Sequence, residues 1–208
     1  EDARLRRVGT AMEVQENIDT PDSDGRRPLQ HAAVAGKPER LRHLLSCGAT
    51  VGAADAAGWT ALHSAASAGH AAACSVLLNA GAPPNARTES GTTPLFHAAG
   101  KGHEEVVQVL LQAGADATLS ARSGDTALHR AAGTNRIGAL QALLAALPRA
   151  AVDAQDKLGQ TAMHVAALEQ HEEACVLLAE AGASVDVKNA QGEAVADMIP
   201  ERVLQRLQ

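Results

Sequence analysis

A glycine returns along this chain at a fixed interval. Gly25, Gly58, Gly91, Gly124, Gly159 and Gly192 are separated by steps of 33, 33, 33, 35 and 33 residues. A period of that length means one supersecondary unit copied in series. Each copy is too small to bury its apolar face alone, so neighbours must stack into a continuous core. Such a chain presents an extended surface rather than closing around a catalytic pocket, which points to protein binding.

The words around each glycine also repeat. Gly58 leads into Trp59-Thr60-Ala61-Leu62-His63, Gly91 into Thr92-Thr93-Pro94-Leu95-Phe96-His97, Gly124 into Asp125-Thr126-Ala127-Leu128-His129, and Gly159 into Gln160-Thr161-Ala162-Met163-His164. Gly25 opens a weaker copy with Pro28-Leu29 and Ala32-Ala33 in register. Thr60, Thr93, Thr126 and Thr161 stand where a helix begins, and a threonine oxygen there accepts from an otherwise unpaired backbone N–H. Pro94 at a first helical position gives up no needed donor. Leu77-Leu78, Leu110-Leu111 and Leu143-Leu144 supply the apolar stripe of a second helix. Gly81, Gly114 and Gly182 follow that helix where a left-handed residue is needed. The unit reads as turn, helix, helix, extended return, and the fold class as an all-α solenoid of paired antiparallel helices with turn fingers.

The charge balance limits the partners. Eighteen basic and 24 acidic side chains leave a net charge of −6, which argues against a binder of nucleic-acid phosphates. With one Trp, one Phe and no Tyr, a base-stacking platform is lacking. No stretch approaches the roughly 18 apolar residues of a membrane span, and no secretory leader is legible. Cys47, Cys74 and Cys175 are odd in number and scattered among repeat positions, as suits a reducing cytosol or nucleus. Cys74 and Cys175 share one second-helix position, a small-residue slot in the core.

Nine histidines raise a third, chemically different reading, a metal-dependent or enzymatic role. The repeat absorbs most of it. His63, His129 and His164 share one repeat position, and His70, His103 and His171 share another. Equivalent positions are spread along a stack, whereas metal ligands must converge, and no H-x-x-x-H or C-x-x-C spacing occurs. The first set is expected to hydrogen-bond turn backbone between neighbouring copies. No metal, cofactor or catalytic group is expected.

The ends are atypical, as caps are. Residues 1–21 read as the second half of a repeat whose first helix is missing, 22–188 as five repeats, and 189–208 as a degraded capping copy ending in a short charged helix that faces water. The 35-residue step places two extra residues within Leu147-Pro148-Arg149-Ala150-Ala151.

These words resemble the ankyrin repeat, whose pattern is G-x-T-P-L-H-x-A-A followed by G-H and a leucine-rich second helix. The resemblance covers Asp22 to about Gln208 and implies turn fingers projecting beside the helix stack to make a concave binding face. Residues flanking each turn glycine, and those ending each first helix, would line it. On that basis the candidate partner-binding residues are Arg26, Trp59, Glu89, Lys101, Arg122, Asp125 and Lys157. The run from Asp55 to Gly69, the half-repeat start, and Val152 to Lys157 after the lengthened loop are more narrowly similar to the gankyrin family of proteasome-assembly chaperones. That likeness implies a monomeric, cytoplasmic or nuclear chaperone gripping the C-terminal domain of a proteasomal ATPase subunit. In that family a basic residue after the first turn and a lysine ending a first helix pair with acidic partner residues, positions held here by Arg26 and Lys101. The L-x-C-x-E motif of some members is not matched by Val165-Ala166-Ala167-Leu168-Glu169, so that activity does not carry over. A generic adaptor or inhibitor of another protein, such as a kinase or transcription factor, is the competing expectation. Because 75 residues separate Arg26 from Lys101, no single small ligand is expected to bridge them.

Overall fold

The computed structural model describes residues 18–206, so the half-repeat expected over 1–21 lies almost wholly outside the described residues. Five helix pairs follow one another: α1 (Pro28–Val34) and α2 (Pro38–Ser46), α3 (Ala61–Ala68) and α4 (Ala71–Asn79), α5 (Pro94–Lys101) and α6 (Glu104–Gln112), α7 (Ala127–Gly133) and α8 (Ile137–Ala146), α9 (Ala162–Leu168) and α10 (Glu172–Glu180). Two short helices, α11 (Val195–Met198) and α12 (Glu201–Leu204), close the stack. Among the described residues there are no strands, only isolated antiparallel bridges at the finger bases, such as Ala54 with Thr60 and Ser120 with Thr126. The two extra residues of the long step form a 3-10 turn over Arg149–Ala151.

The stack has two layers. First helices pack in one row, α1 on α3 on α5 on α7 on α9, and second helices in another, α2 on α4 on α6 on α8 on α10. Small side chains allow the first row to close up: the Ala-Ala pairs at 32–33, 65–66, 98–99, 131–132 and 166–167 are all buried. Larger residues fill the space between the rows. Leu44, Leu77, Leu110, Leu143 and Leu178 hold one repeat position and are buried throughout. Leu41, Cys74, Val107, Leu140 and Cys175 hold another, at most 1% exposed. The two cysteines are therefore core atoms. Burial pushes the Cys74 thiol up to about 12 and the Cys175 thiol to about 11, so neither forms thiolate at neutral pH.

Helix ends follow the expected chemistry. Thr60, Thr93 and Thr161 accept from the backbone N–H three residues on. Each 33-residue turn glycine has a positive φ, from 70° to 95°. At Gly124 the reason is also steric: a Cβ there would come 2.7 Å from the Lys157 backbone nitrogen, because successive fingers lie edge to edge. The final helix departs from expectation. Val203 and Ile199 are buried and pack on the core, so α12 closes the apolar end of the stack instead of lying free in water.

A candidate protein-binding groove

The first, second and fifth fingers each consume an acidic base. Asp55 Oδ1 accepts from the N–H groups of Ala57 and Trp59, and Asp156 Oδ1 from those of Leu158 and Gln160. Asp22 does the same for Asp24 and Arg26. The fingers then hydrogen-bond to one another. The N–H groups of Glu89, Arg122 and Lys157 donate to the carbonyls of Ala57, Ser90 and Ser123 at 2.8, 2.8 and 3.0 Å. Three of the seven candidate residues thus use their backbone to hold the ladder while their side chains stay exposed.

A parallel wiring runs beneath the fingers. The His63 Nδ1 accepts from the Thr60 N–H while its Nε2 donates to the Thr92 carbonyl of the next copy. His129 makes the same bridge to Gln160, and His164 to Glu193. Gln30 reproduces it in the first copy: Oε1 accepts from the Arg27 N–H, and Nε2 donates to the Trp59 carbonyl at 2.7 Å. Only the third copy differs, because Phe96 occupies the position and cannot hydrogen-bond; its ring instead carries the Arg130 guanidinium 5.6 Å from its centroid. The second histidine set is tied backwards, His70 to the Val34 carbonyl and His103 to that of Ser67. These rings are repeat fasteners. Among the described residues no three His, Cys, Asp or Glu side chains converge to hold a metal ion.

The side chains left over line two hollows between fingers and first helices. The first, about 440 Å³, spans three copies and is bounded by Arg26, Val34, Asp55, Trp59, Ser67 and Lys101. Arg26 and Lys101 border this one hollow together with Trp59: Arg26 leaves the first finger, and Lys101 ends the third first helix. Trp59 is half-buried. Its Nε1–H donates to Ser64 Oγ at 3.1 Å, and its ring packs 4.4 Å from that of His97 in the next copy. Burial, then the nearby His63, Lys101 and Arg130, press His97 down to about 4. Trp59 therefore both packs across copies and floors the hollow. Asp55 supplies one negative charge at the rim, its Oδ1 held in place by its own turn, so the two cations outnumber it.

The second hollow, about 550 Å³, lies between the fourth and fifth copies and is bounded among others by Asp125, Arg130, Lys157, Leu158, Val165 and Glu169. Asp125 and Lys157 come together here. Glu89 and Arg122 stand on fingers between the two hollows and border neither. Sequence reasoning omitted Val34 and Arg130. For Arg130 the available signal is the position after the wiring residue, held in turn by His31, Ser64, His97, Arg130 and Val165, which keeps no repeat identity.

Burial lowers His63 from an ordinary 6.5 to about 4. The unfolded chain protonates this ring near pH 6.5 and the folded chain only near 4. The stability contributed by the neutral ring is fully present above about 6.5 and is lost as pH falls towards 4, on the order of 3 kcal/mol. His63→Gln is expected to make that acid limb shallower in a series of melting temperatures against pH, with the remainder carried by His97. Neutral-pH stability should change by less than about 1 kcal/mol, since Gln30 shows the amide making both bonds. An unchanged acid limb would remove His63 from the account.

No helix among the described residues is long and apolar enough to cross a membrane. The family model for ankyrin repeats, in three copies, matches residues 29–121 and 114–189. No curated protein matches the chain.

Proposed function

The chain belongs to the ankyrin-repeat family, and we propose that it acts as a proteasome-assembly chaperone whose finger-side groove grips the C-terminal domain of a proteasomal ATPase subunit. The coarser part needs no proposal: ankyrin repeats make protein-binding scaffolds that are generally not enzymes. For the finer part the carrying observation is the first hollow. The two basic residues that correspond to the partner-gripping pair of gankyrin-like chaperones, Arg26 and Lys101, border the same 440 Å³ space with an indole between them. Among the described residues neither takes part in an ion pair within the chain. Two cations and an apolar floor suit a partner face carrying carboxylates around an apolar side chain, with the charges steering encounter and the desolvated centre holding the complex. A cytosolic or nuclear setting accords with free, buried Cys74 and Cys175.

The test is capture of purified C-terminal domains of the proteasomal ATPase subunits by the immobilised chain. Saturable binding of one of them is expected. Binding of none of the set would leave an ankyrin scaffold for a different protein.

A further inference from the structure

Three large apolar side chains are conspicuously exposed among the described residues: Val34 at 49%, Leu158 at 55% and Leu168 at 53%. Val34 borders the first hollow and Leu158 the second. Leu158 stands at the turn of the fifth finger, directly before Gly159. Its position is fixed at the backbone: its N–H donates to Asp156 Oδ1 at 2.8 Å, and its carbonyl accepts from the Ala190 N–H of the following finger. A rigidly held, solvent-facing leucine in a hollow floored by Val165 is an apolar contact awaiting a partner.

The charges around it differ from those around Trp59. Asp156 is used by its own turn, and the Arg130 guanidinium lies over Phe96. Asp125 and Glu169 border the hollow without an ion pair among the described residues, and Lys157 stands at the finger. Counting every charged side chain, the first hollow sets Arg26 and Lys101 against Asp55, and the second sets Asp125, Asp156 and Glu169 against Arg130 and Lys157, so the balance is positive in the first and negative in the second. The groove changes sign along its length.

We propose that the hollow around Leu158 is a second anchoring site, which takes an aliphatic side chain of the partner with a lysine or arginine beside it. This deepens the groove-binding reading and rests on it. Together the two hollows fix direction: the acidic end of a bound protein lies over Trp59 and its basic end over Leu158. A partner placed in reverse would set like charges opposite each other at both ends, which costs affinity and excludes that orientation.

The site is testable with peptides, whether or not the partner is a proteasomal ATPase. A randomised displayed peptide library is selected on the intact chain, and enriched peptides are remeasured on Leu158→Ser, Glu169→Lys and the double variant Arg26→Glu/Lys101→Glu, each checked for an intact helical circular dichroism spectrum. The expected outcome is a class in which an aliphatic residue neighbours Lys or Arg. That class should bind about tenfold or more weakly to Leu158→Ser and to Glu169→Lys, yet equally well to the double variant. Leu158 is exposed and contributes little to the core, so its replacement leaves the fold intact. The proposal is overturned if no enriched class loses affinity on Leu158→Ser, or if the class that does is acidic and is lost on Lys157→Glu instead. Failure of the ATPase domains to bind, with the basic-aliphatic class present, would reject the partner and keep the site.

Discussion

Leu110→Ala is expected to lower the unfolding free energy by about 2–5 kcal/mol, the cost of a fully buried large-to-small change. Leu110 is 0% exposed on α6, in the third helix pair, with further pairs stacked on both sides. In a stack whose stability is a sum of unit and neighbour terms, a central unit takes part in two interfaces. A cavity opened there weakens the contact of α6 with α4 and with α8 together. The removed methine and two methyl groups lose their transfer energy, and close-packed helices on either side limit how far the gap can collapse. The comparison is Lys37→Ala, an exposed change just before α2, for which less than about 0.5 kcal/mol is expected. Urea unfolding of the two variants decides the matter. A Leu110→Ala loss below about 1 kcal/mol would show that the repeat core relaxes around the missing side chain and that the stack is more plastic than its packing indicates.

That core was legible before any coordinates, and the reason is physical. Each element recurs, so one copy interprets another: a glycine that could be incidental at position 25 becomes a required left-handed turn once it returns at 58, 91 and 124 with φ between 77° and 95°. The same logic placed Cys74 and Cys175 in the core and turned His63, His129 and His164 from metal candidates into fasteners. The method fails where the copies differ. Phe96 breaks the fastener pattern, and nothing in its neighbours' identities says that Arg130 will cover its ring. Val34 and Arg130 line the hollows, although no word common to the copies marks either of them. At the C-terminal end, periodicity had run out, and a helix that reads as charged and solvated buries Val203. Repeats reveal what is common to the copies; binding and closure depend on what is not.

Reversing both charges of the first hollow, Arg26→Glu with Lys101→Glu, is expected to abolish capture of the ATPase domain while leaving the helical circular dichroism spectrum unchanged. Both side chains are exposed, and neither forms an ion pair within the chain among the described residues. The folded state therefore loses little by the reversal, about 1 kcal/mol or less for a carboxylate in the last turn of α5. The complex loses twice, since two attractions become two repulsions against carboxylates on the partner, and breaking one desolvated charge pair alone costs about 2–5 kcal/mol. Trp59→Ala should act differently. It removes an apolar floor and is expected to weaken binding by more than about 1 kcal/mol with little change in the dependence on salt. The indole also packs on His97 and bonds to Ser64, so this variant is read beside its own melting temperature to separate loss of contact from loss of fold. Wild-type binding should fall as salt rises, because partly exposed charges are screened over roughly 8–10 Å. An intact fold with unaltered affinity would place the contact face elsewhere on the repeats. The likeness to gankyrin would then describe only how the chain folds.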